Sequence, residues 1–377
     1  MGLKDLFLLD PSWTYLNHGS FGACPRPVFE EYQRLQRELE QQPVQFLGRE
    51  AIPRLAAARA ALAGLVGAAA DDLVFFPNPT VAVNVVARSL QLRPGDEILT
   101  TDHEYGAMDR TWRFLAAKTG ARYVHQPIPL PFRATDFVDQ FWSGVNDRTR
   151  MIFLSHLTSP TALIFPIAEI IRRARAAGMF TIIDGAHAPG QLPLNLDALG
   201  ADVYVGACHK WLCAPKGAAF LHVRRQVQPL IEPLVVSWGF EEATYLTGST
   251  FVNWHEWQGT RDLSAYLSVP GAIRFQRQHN WDDVRARCHA LVIGTRARLQ
   301  TLTGLDPICD ESVLGQFFAA RLPNGVDVTA LSQRLLDARI EVPLPIWNGQ
   351  PFIRVSFQGY NDEPDADRLL NVLAKWL

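Results

Sequence analysis

From residue 50 onward the apolar positions keep changing period. Stretches with helical spacing alternate with short apolar runs, the pattern of a mostly parallel sheet covered by helices. "IPRLAAARAALAGLVG" predicts a helix rich in Ala and Leu and stopped by Gly67. The strand "DLVFF", the turn "PNPT" and the helix "VAVNVVARSL" follow. "GDEILTT", "ARYVHQPI", "RMIFLSHL", "MFTIIDGAH" and "ADVYVGACH" predict further strands, most separated by room for a helix, and "GAAFLHV" adds another. After about residue 265 the alternation changes. "GAIRFQRQHNWDDVRARCHALVIGTRARLQTL" reads as one or two long helices, and the remainder as strands and helices of a smaller α+β unit. The expected organisation is an N-terminal segment (1–20) packing near the site, a large domain (21–262) and a small C-terminal domain (263–377) that the N-terminal segment can join.

In an open sheet of this kind, ligands sit outside the carboxyl ends of the strands. The residues there are Asn78 to Thr80, Asp102 to Tyr105, Ser155 to Ser159, Asp184 to His187, and His209 with Lys210. Nearly all are polar, aromatic or ionisable, whereas the strands that feed them are apolar. A site along one edge of the sheet is the consequence.

Composition narrows the class. The 377 residues are 48% hydrophobic and 20% charged, with a formal net charge of -2, as in an ordinary soluble protein, and nothing in them asks for nucleic acid. The densest basic cluster, "RRARAAG", reads as the polar face of a helix ending at Gly178. No apolar stretch approaches the roughly 18 to 20 residues that span a bilayer. The first residues, "MGLKDLFLLDPSW", lack a small-residue cleavage site, so a cytoplasmic location is expected. Five scattered cysteines fit reduced thiols. Cys208, His209 and Cys213 lie close together, but nothing completes a zinc set, and no metal is expected.

The cofactor question is answered by elimination and then by three residues. Neither GxGxxG nor GxxxxGK[ST] occurs. "FFPNPTVAVN" instead puts Pro79 and Thr80 at a helix start, where free N–H groups, the helix dipole and the Thr80 hydroxyl suit a phosphate. A plain N-cap by Asn78 or Thr80 is the alternative. Asp184 ends the apolar run "MFTIID" and needs a cation or several donors. A pyridinium nitrogen is one such cation, and an arginine of the fold is another. Lys210 ends the next run, in "VYVGACHKWLCAPKG", where an ammonium must find a partner or lose its proton. Phosphate anchor, pyridine partner and strand-end lysine together describe pyridoxal 5'-phosphate in Schiff-base linkage.

"DGAHAPGQLPLNLDALGADVYVGACHKWLCAPKGAAFLHV" strongly resembles the aspartate-to-lysine core of fold-type I, class V aminotransferase-like enzymes. "YLNHGSFGACPRPV" and "FIRVSFQGYND" resemble the isopenicillin N epimerase-like branch. The resemblance spans essentially the whole chain. It implies an α/β fold with a mostly parallel seven-stranded-type sheet between helices and a smaller C-terminal domain. It further implies Lys210 as the Schiff-base lysine, Asp184 as partner of the pyridine nitrogen, and His187 as a contact of the ring hydroxyl or substrate. Asn78, Thr80 and His209 fall at the phosphate, Tyr105 on the cofactor face and Ser159 near the ring oxygen. Thr260, in "QGTRD", matches a residue reaching the phosphate of a neighbouring subunit, which implies a homodimer. Arg354 matches the arginine that grips the substrate α-carboxylate. His18 caps a turn or enters the substrate site.

Two departures qualify the resemblance. Ala207 and Cys208 stand where a serine or threonine often precedes the lysine, so a phosphate donor has to come from elsewhere. The loop "ARIEVPLPIWNGQPFIR" before Arg354 has no cysteine, and Cys309 lies well upstream, which argues against persulfide chemistry. Lys216, beyond the strand end, is the weaker choice of Schiff-base lysine. The expected activity is therefore epimerisation, racemisation or C–S bond cleavage on a small amino-acid substrate, with transamination as the alternative. A second acid for epimerisation would be Tyr105 or His187.

Overall fold

The computed structural model describes residues 2–241 and 247–377. Its strands are β1 (Thr14–Tyr15), β2 (Leu73–Phe76), β3 (Glu97–Thr101), β4 (Arg122–Gln126), β5 (Thr149–Ser155), β6 (Phe180–Asp184), β7 (Val203–Ala207), β8 (Ala219–Val223), β9 (Phe317–Arg321), β10 (Ile340–Glu341), β11 (Ile346–Trp347) and β12 (Gln350–Ser356). Seven of them form the central sheet in the order β2-β8-β7-β6-β5-β3-β4. All run parallel except β8, which is antiparallel to both its neighbours.

The continuous apolar runs follow from burial on both faces. Leu73, Phe75 and Ile183 point into one hydrophobic layer, while Val74, Phe76 and Ile182 point into the other. Helices cover both sides. The helix Ala51–Val66 ends where Gly67 takes a left-handed conformation (φ 64°), as its position after the last apolar residue predicts. The helix Pro79–Ser89 opens with proline in its first turn, and Asn78 Oδ1 caps it by accepting the Val81 N–H at 2.9 Å. The long apolar pattern after residue 265 resolves into Val269–Gln278 and Trp281–Thr303, broken at Asn280, whose φ of 48° cannot continue a helix.

The C-terminal part builds a three-stranded antiparallel sheet in the order β11-β12-β9. Asn348 and Gly349 link β11 to β12 with φ of 47° and 76°, as a tight hairpin turn with both central residues at positive φ requires. The N-terminal residues join this part. β1 pairs in parallel with β10, and Leu16 O accepts the Ser356 N–H at 2.9 Å. Beyond Leu16 the chain crosses to the carboxyl ends of the central strands. Among the described residues, no helix is long and apolar enough to cross a membrane.

Candidate active site

A cavity of about 220 Å³ opens at those strand ends. Eight residues marked by the sequence line it: Asn78, Thr80, Tyr105, Ser159, Asp184, His187, His209 and Lys210. Their common place follows from topology, since parallel strands deliver their C-terminal residues to one edge. β5 and β6 are in register with Ser155 opposite Asp184, and β7 then carries the chain past Ala207 to Lys210.

The neighbours of Lys210 favour its neutral amine form. Trp211 Nε1 can only donate, and it donates to His187 Nδ1 at 3.1 Å, so the His187 proton resides on Nε2. That Nε2–H faces Lys210 Nζ at 3.2 Å, which makes the amine the acceptor. Burial acts in the same sense. It lowers the Lys210 pKa to about 8, against the opposing pull of the Asp184 carboxylate. His187 stays neutral for the same reason, pushed well below its usual range by burial and then by the charges of Lys210 and Arg354.

Asp184 is buried and accepts the Ala186 N–H at 2.9 Å. Among the described residues no cation forms a salt bridge with it, so the arginine alternative fails. Burial raises its pKa, and Lys210 counteracts this only in part. Such a carboxylate suits a cationic ring nitrogen. Glu104 lies nearby and is also buried. It accepts from Ser155 N at 2.9 Å, Ser155 Oγ at 2.5 Å and Thr101 Oγ1 at 2.7 Å. Burial pushes its pKa up to about 8. The sequence placed Glu104 and Ser155 at strand ends without assigning either a role.

The phosphate site expected from the sequence lies at the first turn of the helix Pro79–Ser89, with Thr80 on the cavity wall and Asn78 occupied as its cap. His209 faces them. Its Nδ1 bonds Ala218 O at 3.0 Å, and burial lowers its pKa to about 4, so in the free protein Nε2 is an acceptor. A phosphate dianion at that nitrogen would draw a proton onto it.

Arg354, on β12, reaches the rim. Its Nη1 donates to Ser159 O at 2.6 Å and Ser159 Oγ at 3.1 Å, and Nη2 donates to Ser20 Oγ at 2.9 Å. Its Nε has no partner, and among the described residues no carboxylate pairs with it. Burial pulls its pKa down to about 10. A buried guanidinium lacking a counter-ion is a receptor for an anion.

Two residues are not brought to the cavity. His18 is fully buried, with Nδ1 3.0 Å from Tyr360 Oη and Nε2 3.1 Å from Lys210 O. It braces the lysine turn from behind, and its place in the cavity wall is taken by Ser20 and Phe21. Thr260 is exposed and does not line the cavity of its own chain. Lys216 points elsewhere, donating to Gly22 O at 2.9 Å. Gly22 itself (φ 71°) lies against the lysine turn, where an added Cβ would collide with the His209 carbonyl oxygen. Gly22→Ala is expected to cost about 2 kcal/mol or more of stability and to weaken cofactor binding, read by thermal unfolding and by cofactor titration.

A family model described as "Aminotransferase class-V" matches residues 15–369. The chain belongs to aminotransferase class V. It is 38% identical over 383 residues to an isopenicillin N epimerase from Amycolatopsis lactamdurans, covering 97% of this chain and 95% of that one. A probable chloroplastic L-cysteine desulfhydrase from Arabidopsis thaliana is 27% identical over 401 residues, covering 97% of this chain and 83% of its relative. In structure, a C-DES mutant with glycine covalently linked to its PLP cofactor superposes with a TM-score of 0.87 at 23% identity, over 97% of both chains.

Class V membership makes this a pyridoxal-5'-phosphate-dependent enzyme of fold type I, and its residues fit the cofactor. The unpaired buried Asp184, the amine of Lys210 and the helix start at Thr80 offer partners for ring nitrogen, aldehyde and phosphate respectively. Because the aldehyde needs a neutral amine, the rate of cofactor loading is expected to rise with pH and level off above about 8. Removing the negative charge at Asp184 lowers the Lys210 pKa, so Asp184→Asn should move that midpoint down. Stopped-flow absorbance during reconstitution measures both.

Proposed function

We propose that the protein acts at the α-carbon of an amino-acid substrate, as an epimerase or racemase or as a C–S lyase, with Lys210 holding pyridoxal phosphate. The observation that carries this reading is the pairing of a buried lysine amine, 3.2 Å from His187 and with its pKa lowered by burial, with a buried guanidinium at the cavity rim that has no counter-ion. One centre handles protons, and the other holds a carboxylate. Lys210, Asp184, His187, Thr80 and His209 would hold the cofactor, with Asn78 shaping the helix start, Tyr105 covering a ring face and Ser159 at its edge. Bound there, the cofactor supplies an electron-withdrawing ring that accepts the electron pair left when a bond to the α-carbon breaks.

The chain's own residues do the remainder. Arg354 orients the α-carboxylate, which presents the α-proton to one face. Lys210 Nζ takes and returns that proton. Tyr105 and His187 are the candidates for proton delivery on the other face, which epimerisation requires. A C–S lyase needs only Lys210 and a leaving group. Two relatives support these readings through their names, one an epimerase and one a desulfhydrase. Transamination remains the alternative reaction, whereas a desulfurase route lacks its nucleophile, since among the described residues no cysteine lines the cavity. The exposed position of Thr260 supports a homodimer in which it serves the neighbouring site.

The deciding experiment incubates the cofactor-loaded enzyme with amino acids in heavy water. Exchange of the α-proton with loss of chirality identifies an epimerase or racemase, and pyruvate with ammonia and a thiol or sulfide identifies a lyase. Keto acid with retained amino group on the cofactor identifies an aminotransferase. No exchange with any substrate would refute action at the α-carbon.

A further inference from the structure

We propose that a groove beyond Arg354 receives the substrate side chain and selects a long one, with an apolar stem and a hydrogen-bond-donating end, over side chains that are short or acidic. The inference rests on the reaction site proposed above and names the substrate class that site would take.

The groove, about 450 Å³, adjoins the cofactor cavity across Tyr105 and Ser159, which line both. Arg354 stands at their junction. An α-carboxylate on its guanidinium leaves the substrate side chain to run away from Lys210 into the groove. One wall is apolar, formed by Leu344 and Ile346 with the prolines around them, and Ile346 is 66% exposed.

The far end is built by the β11–β12 hairpin closing on the tip of β3. Trp347 Nε1 donates to Asp102 O at 2.8 Å, Asn348 Nδ2 donates to Asp102 Oδ2 at 2.9 Å, and the Trp347 ring packs on His103 with centroids 4.4 Å apart. Asp102 Oδ1 also accepts the Ile128 N–H at 3.0 Å. A carboxylate has about four acceptor sites, so two such bonds leave room for a donor from the substrate. The other acids on the wall are Glu104, committed to Ser155 and Thr101, and Asp109, which takes Tyr123 Oη at 2.8 Å, His125 Nε2 at 3.1 Å and Arg113 at 3.3 Å. Arg354 is the only cation among the lining residues. A second carboxylate on the substrate would therefore meet apolar surface and the carboxylates of Asp102 and Asp109, whereas an amine or amide N–H would meet Asp102.

The test uses the full-length, cofactor-loaded protein titrated with L-alanine, L-norleucine, L-lysine and L-2-aminoadipate. The change in the visible cofactor band yields an apparent Kd for each, whether or not turnover follows. L-norleucine and L-lysine are expected to bind at least about tenfold more tightly than L-alanine, since several methylenes leave water. L-lysine should be the tightest and L-2-aminoadipate no tighter than L-alanine. Ile346→Ala, at an exposed position that folding does not depend on, should compress the norleucine-to-alanine ratio. Asp102→Asn should compress the lysine-to-norleucine ratio by severalfold. Equal affinities across the four ligands, or tightest binding of L-2-aminoadipate, would overturn the proposal with the cofactor site intact. A protein that forms no visible band, or one whose band no amino acid perturbs, would overturn the reaction site itself and the groove with it.

Discussion

Lys210→Ala is expected to abolish covalent retention of the cofactor and to lower turnover by at least about a thousandfold. The size of the effect follows from two duties converging on one nitrogen. Lys210 Nζ is the only lysine amine among the residues lining the cavity, and it is also the proposed base for the α-proton. No neighbour can substitute. His187 Nδ1 already accepts from Trp211, and Lys216 is turned away to the Gly22 carbonyl. Borohydride reduction of the loaded wild-type protein should fix the cofactor to the peptide carrying residue 210, read by mass spectrometry. A label that persists in Lys210→Ala at the peptide carrying Lys216 would refute the assignment.

Arg354→Met should separate function from stability. Loss of the guanidinium removes a charge-assisted, two-pronged contact to the α-carboxylate, for which a fall in kcat/KM of about 100- to 1,000-fold is expected. Thermal unfolding of the substrate-free protein should not weaken in step. The native guanidinium is buried without a counter-ion, with its Nε unbonded, so its removal relieves a desolvation cost that offsets the three lost hydrogen bonds to Ser159 and Ser20. Arg354→Lys should restore part of the affinity and little of the orientation, because an ammonium is a point charge rather than a planar fork. Parallel losses of Tm and kcat/KM in the methionine variant would mark Arg354 as a structural residue.

The central sheet was legible because strands buried on both faces must be apolar throughout, and in runs such as "MFTIID" nothing but packing explains the composition. Asp184 and Lys210 were legible for the complementary reason, that a charge closing an apolar run is costly unless it is used. The N-terminal contribution was not. In "NHGSFG" the short helix His18–Phe21 turns successive side chains by about 100° each, so His18 faces backward to Tyr360 while Ser20 and Phe21 face the cavity. Sequence alone marks the segment but not which residue points in. The segment before Arg354 was read only as a loop without cysteine. Its Asn348–Gly349 pair carries the hairpin signal, but the partner of that hairpin, Asp102, lies 246 residues away, and no local pattern encodes such a contact.

The pairing of β1 with β10 sets an order for biosynthesis. Residues 14 and 15 are made long before the strand they dock against, which ends at Glu341, and the bond that seats Leu16 waits for Ser356. Ser20, Phe21 and Gly22, which close over the lysine turn, depend on that anchorage. A nascent chain can therefore assemble its large sheet and still lack the wall formed by Ser20 and Phe21 until Ser356 has been made. The segment that closes over the lysine turn is thus made more than three hundred residues ahead of the strand that holds it in place.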